Sequence, residues 1–168
     1  MPKSKTSILT PDQIRQKISR IAHQVNEDCA GEKNIVLAGI IGNGFLMAKR
    51  IRSELEKISK LKILLVEVEM DKKNPNGKKI MLKPSPGDLE GATIILVDDV
   101  LDSGRTMIYG LRPFLDQKVH KIRTVVLADR SHKRFPVSAD FTGISIATTL
   151  QEHIQVVFGE EADSVILE

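Results

Sequence analysis

Apolar residues recur along the chain with two periods that take turns. Ile14, Ile18, Ile21, Ala22 and Val25 fall at helical spacing. Ahead of them, Thr10-Pro11-Asp12-Gln13 supplies a Thr cap, a Pro in the first turn and a Gln three residues after the cap. This predicts a helix running to about Cys29. Glu32 to Asn34 reads as a turn, and Ile35 to Ile41 is apolar on both faces, as a central strand of a covered parallel sheet must be. Gly42-Asn43-Gly44 interrupts that run. Phe45, Leu46, Ala48, Ile51, Leu55 and Ile58 then carry a second amphipathic helix, and Lys62 to Glu69 reads as the next strand.

The following segment, DKKNPNGKKIMLKPSPGDLEG, is rich in Lys, Pro, Gly and Asn, with a turn at Asn76-Gly77 and a short strand at Lys79 to Leu82. A connection of that length inside a small domain is more often a working lid or arm than idle chain. The oily run Ile94 to Val97 begins a strand that should end at the acids Asp98 and Asp99. Ser103 to about Gln117 reads as a helix and Lys121 to Asp129 as a further strand. Phe141 to Ile144, Ile154 to Phe158 and Ser164 to Leu167 have strand composition. Strands alternating with helices imply an α/β fold, a mainly parallel twisted sheet with helices on both faces. Such sheets bind ligands beyond the carboxyl ends of their strands, where both Gly42-Asn43-Gly44 and Asp98-Asp99 fall.

Bulk properties narrow the classes. The 168 residues fit one domain, with 41% hydrophobic and 28% charged residues near globular averages. No apolar run approaches the roughly 20 residues of a membrane span. The basic start, MPKSKTSILTPDQ, lacks the apolar core of a secretion signal. A cytoplasmic protein is expected. The lone Cys29 reads as a buried helix residue, and no Cys/His cluster has zinc spacing. A net charge of +3 favours phosphate-bearing partners and is too small to identify nucleic acid.

The stretch IILVDDVLDSGRT, residues 94–106, carries the chemistry. Two carboxylates at a strand end can accept bonds from neighbouring sugar hydroxyls or approach a magnesium ion, which prefers a few carboxylates plus phosphates. Neighbouring strand residues point to opposite faces, so the strand must end for both acids to reach one ligand. Asp102-Ser103-Gly104-Arg105-Thr106 then opens a helix, where exposed N–H groups, a close-approach Gly and two hydroxyls suit a phosphate monoester. It is no Walker loop, and Gly42-x-Gly44 has Met47 where a dinucleotide fingerprint needs a third Gly.

VDDVLDSGRT is similar to the phosphoribosyl diphosphate (PRPP) motif of the type I phosphoribosyltransferases. The tail VVLADRSHKRFPVSADFTGISIATTLQEHIQVVF resembles the end of the bifunctional pyrimidine operon regulator/uracil phosphoribosyltransferase family, where D-R-G-H-R-E-L-P precedes D-Y-V-G-K. The resemblance covers most of the chain from about Thr10. It implies one phosphoribosyltransferase domain over 1–168, with a small hood and a flexible arm. Asp98 and Asp99 would hold the ribose hydroxyls and magnesium-bound PRPP, with Asp102 completing the catalytic set. Asp102 to Thr106 would cradle the 5'-phosphate, and Gly42, Asn43 and Gly44 would form the pyrophosphate loop. Asp129, Arg130 and His132, after the last long strand, would contact the base.

The implied reaction is Mg2+-dependent transfer of phosphoribose from PRPP to a nucleobase, with uracil first, yielding a nucleoside monophosphate and pyrophosphate. A homodimer is implied too. The chain departs from the pattern in three places. Gly42-Asn43-Gly44 stands where the family has T-R-G, and the arm offers Lys72, Lys73, Lys78 and Lys79 without an Arg. Asp102 stands where the regulator family has an aromatic residue and purine phosphoribosyltransferases have Asp, which makes a purine enzyme an alternative. A second alternative is an RNA-binding regulator drawing on Arg15, Lys17, Arg20, Lys49, Arg50 and Arg52. Those residues also read as solvated helix faces, and aromatics at 4% give no stacking platform.

Overall fold

The computed structural model describes residues 4–168, leaving the first three residues of the basic start outside. Thirteen elements follow in the order β1 (Thr6–Leu9), α1 (Pro11–Asp28), β2 (Asn34–Ile40), α2 (Asn43–Ile58), β3 (Lys62–Glu69), β4 (Met81–Lys83), β5 (Thr93–Leu101), α3 (Arg105–Gly110), α4 (Arg112–Leu115), β6 (Lys121–Asp129), β7 (Phe141–Ser145), β8 (Ile154–Val157) and β9 (Ser164–Leu167).

The capping box forms as the sequence implies: Gln13 N donates to Thr10 Oγ1 and Thr10 N donates to Gln13 Oε1. Satisfying two otherwise orphaned N–H groups contributes about 1 kcal/mol to the start of α1. The main sheet has six strands in the order β4-β3-β2-β5-β6-β7, all parallel except β4. Alternation along its strands divides the core. Leu37, Ile95, Val97, Val125 and Leu127 face α1 and α2, and Val36, Ala38, Ile94, Leu96 and Val126 face Met107 and Phe114 of α3 and α4. Helices therefore cover both faces, which is why the central strands read as continuous apolar runs.

Three local expectations differ. The helix expected from Ser103 to Gln117 begins at Arg105 and divides into α3 and α4. Pro113 has no N–H to continue α3, and it serves instead in the first turn of α4. The strand expected to end at Asp99 runs on to Leu101, held by β6 through Val100↔Ala128 and Leu101↔Asp129. β1 was not anticipated. It pairs with β9, which pairs with β8, in a three-stranded antiparallel sheet whose Leu9, Val156 and Val165 join the core on the α1/α2 side.

Candidate functional site at the carboxyl rim

Strand order makes the site. From β2 the chain moves to β3 on one side and then returns to β5 on the other. That reversal opens a crevice at the carboxyl ends of β2 and β5. Pairing between the two strands stops at Gly39↔Val97, so Asp98 and Asp99 project from a part of β5 that only β6 continues to hold. Within the strand Asp98 is buried and Asp99 is partly exposed.

The loop Gly42-Asn43-Gly44 lies directly against these acids. A Cβ on Gly44 would meet Val97 O at 2.8 Å and Asp98 Oδ1 at 3.0 Å, so only glycine permits this approach. Asn43 Nδ2 donates to Asp99 Oδ2 at 3.0 Å and to Val156 O of β8 at 2.8 Å. The loop, the acids and the hood are thus joined through one amide. Asp98 is 4% exposed. Burial, then the adjacent Asp99 carboxylate, pushes its pKa up to about 8, against the opposing pull of Lys72. Lys72 reaches in from the arm between β3 and β4, its Nζ 3.8 Å from Asp98 Oδ1.

After β5, Gly104 takes a left-handed conformation (φ 85°), its backbone packed beneath Val137. Arg105 N donates to Ser103 Oγ, and Ser103 O accepts from Arg134 N and Phe135 N. The 102–106 turn is therefore held from below by the loop after β6, with the side chains of Ser103, Arg105 and Thr106 partly exposed. Asp102 Oδ1 accepts from Arg130 Nη1 at 2.8 Å, and its side chain is half-exposed.

The three residues expected at the base are engaged with the protein. Asp129 accepts from Ser131 N and lies 3.7 Å from Lys133. Arg130 is buried against Asp102, Thr148 and Thr149, and His132 Nε2 donates to Thr148 O. Sequence reasoning missed Thr148, Thr149 and the carbonyl of Val156, because main-chain partners and distant loops leave no motif. Lys72 was read only as one of four arm lysines. Of the helix cations weighed for RNA, Arg15 pairs with Asp12, Arg50 with Asp163 and Arg52 with Glu56, Arg20 donates to Thr142 O and Gly143 O, and Lys49 lies over the Phe45 ring.

Cavities open at both edges of the sheet, and one of about 410 Å3 lies beside Ile41, Glu69 and the arm lysines Lys78 and Lys79. A cavity of about 610 Å3 opens at the opposite, amino-terminal edge of the sheet, where Glu32, Lys62, Asp88, Glu90 and His120 mix both signs of charge. The paired acids and the anion turn occupy the other rim. Among the described residues no group of three His, Cys, Asp or Glu side chains gathers to hold a metal. Asp98 and Asp99 supply carboxylate oxygens from one strand end, a set suited to an ion that takes its remaining oxygens from a phosphate ligand.

The phosphoribosyl transferase domain matches residues 4–164. The chain is 33% identical over 170 residues to the bifunctional protein PyrR of Chloroflexus aurantiacus, covering 95% of this chain and 93% of that one. It is 33% identical over 165 residues to the bifunctional protein PyrR of Bacillus subtilis, covering 93% and 91%. Among solved structures, the hypoxanthine phosphoribosyltransferase of Trypanosoma cruzi shares the fold with a TM-score of 0.76 at 18% identity, over 95% of both chains. A hypoxanthine-guanine phosphoribosyltransferase from Bacillus anthracis does so with a TM-score of 0.70 at 20% identity, over 84% of this chain and 82% of that one. With a family match over nearly its whole length and relatives of about 33% identity, the chain belongs to the phosphoribosyltransferase family.

Proposed function

We propose that the protein transfers the phosphoribosyl group of PRPP to uracil with Mg2+ present, releasing pyrophosphate. The observation that carries this reading is the crevice beside β5, where a buried carboxylate, a second carboxylate and a left-handed glycine turn lie within six residues of one another. Asp99 and Asp98 would accept the ribose hydroxyls, and the N–H groups of the 103–106 turn would hold the 5'-phosphate. Bound Mg2+, carried by Asp98, Asp99 and the diphosphate, would supply charge neutralisation for the leaving group. The sugar C1–O bond breaks and a C1–N bond to the base forms, with the base N–H proton lost. The chain's own part is to fix the two reactants in line, with preorganised dipoles facing the developing charges.

Asp102 supports a second reading with a purine base. Its carboxylate is half-exposed at the rim and already bonded to Arg130, so it presents an acceptor beside the cradle. Such an acceptor would suit a base that offers an N–H at that edge.

Pyrophosphate release measured across uracil, hypoxanthine, guanine and adenine tests both. Turnover with uracil alone supports the first reading and turnover with hypoxanthine or guanine the second. Absence of base-dependent turnover together with absence of PRPP binding removes both. Binding of a pyrimidine-gene leader RNA, compared with a scrambled RNA across a salt series, tests a regulatory role in parallel.

A further inference from the structure

Arg130 is 5% exposed, and each of its three guanidinium nitrogens donates to the protein. Nη1 donates to Asp102 Oδ1 at 2.8 Å, Nε to Thr148 Oγ1 at 2.8 Å and Nη2 to Thr149 O at 2.9 Å. With three of its five N–H groups so engaged and the side chain buried, the guanidinium is held by the protein. The segment it holds, between β7 and β8, has no regular secondary structure, so its position comes from such bonds and not from a strand ladder. His132 Nε2 adds a bond to Thr148 O, and Glu152 closes the turn by accepting from Thr149 N at 2.7 Å.

We propose that Arg130 is a positioning residue that fastens the Thr148–Thr149 segment to Asp102, so that the wall of the base pocket is set by the head of the phosphate cradle. The base half of this rests on the phosphoribosyltransferase reading; the fastening itself does not. Arg130 would then act on base binding without touching the base. Lysine at this position keeps a point charge for Asp102 and lacks the fork that reaches Thr148 and Thr149. Cradle and wall would therefore come apart in Arg130→Lys.

Two measurements decide it. In the ligand-free protein, hydrogen exchange at residues 147–150 should quicken about tenfold or more in Arg130→Lys, with β5 and β6 unchanged. In turnover assays the KM for the base should rise about tenfold and the KM for PRPP stay within about twofold. Thr148→Val, which removes only the Nε acceptor, should shift both in the same direction by less. It carries the test if Arg130→Lys does not fold. Unchanged exchange at 147–150 in a folded variant overturns the fastening, and a raised PRPP KM with an unchanged base KM overturns the link to the base. If the wild type binds no PRPP, the base link falls with the enzymatic reading, and exchange still decides whether Arg130 fastens the segment.

Discussion

Lys72 Nζ lies 3.8 Å from Asp98 Oδ1, so a lysine on the β3–β4 arm faces a carboxylate buried at the end of β5 across the crevice. Asn43 of the adjoining loop has its amide committed to Asp99 and Val156. Lys72 therefore brings positive charge to Asp98 from the arm. Lys72→Met should raise the KM for PRPP about tenfold, equivalent to roughly 1.4 kcal/mol. Thermal stability should hardly change, since the lysine side chain is well exposed. Initial rates over a PRPP series check this. An unaltered KM removes Lys72 from the site.

Asp98→Asn combined with Asp99→Asn should lower turnover by roughly a hundredfold to a thousandfold or more, the scale seen when a preorganised charge contact is lost. The fold should survive. Asp98 already resists ionisation by being buried, and Asn is nearly its shape. Circular dichroism and a melting curve, run beside the pyrophosphate assay, separate the two effects. Persistent turnover would mean the acids are misassigned.

Gly44→Ala places a methyl 2.8 Å from Val97 O and 3.0 Å from Asp98 Oδ1, inside contact distance of backbone that cannot yield cheaply. The predicted cost is about 1–3 kcal/mol of stability, with turnover falling further as the loop is pushed off Asp98. Denaturant midpoints against relative kcat measure both losses. Equal wild-type values for the two would show that the loop moves freely.

Cys29 is buried, and that burial, followed by the nearby charge of Glu32, pushes its thiol up to about 11 from an ordinary 9.0. A raised thiol pKa means less thiolate at neutral pH, here by roughly a hundredfold. Ellman's reagent should label the native protein far more slowly than the denatured chain, and the native rate should climb as pH approaches the shifted value. Immediate stoichiometric labelling at neutral pH would contradict this.

Asp28 binds Arg123 Nε through both carboxylate oxygens and Lys121 Nζ at 3.1 Å. Burial acts to raise its pKa, yet these bonds outweigh burial and hold it below the ordinary 3.8. Its stabilising effect is therefore complete above that value and disappears as pH falls through the lowered one. Asp28→Asn should cost about 1 kcal/mol at neutral pH, discounted for solvent screening. The gap between the two proteins should narrow as the pH falls below the ordinary carboxylate value, which melting curves across the acid range would record.

Residues that carry local signals were legible from the chain. β3 and β6 span Lys62–Glu69 and Lys121–Asp129 as their composition implies, and the Thr10 box starts α1. β1 was hidden because Thr6–Leu9 is four residues long and becomes a strand only through β9. The rim was legible at Asp98, Asp99 and Gly104, whose types announce their chemistry. Arg130 was legible as a candidate, and its bonds within the protein were not. Its partners Thr148 and Thr149 belong to a different loop, and no spacing rule connects them. The same holds for Lys72 and Asp98, which meet only because β3 and β5 flank β2.

The two bonds of Asn43 have a consequence for assembly. One joins it to Asp99 and the other to the Val156 carbonyl, and Val156 lies in a small sheet that is complete only once Thr6 has met Leu167. Contacts between opposite ends of a chain form late and slowly. A chain with its main sheet built and its small sheet still open would own both aspartates and the Asn43–Asp99 bond, and lack the Val156 carbonyl that holds the amide from its other side. Full anchoring of the Asn43 amide therefore waits on the small sheet, which ties one rim residue to the part of the fold that joins the two ends of the chain.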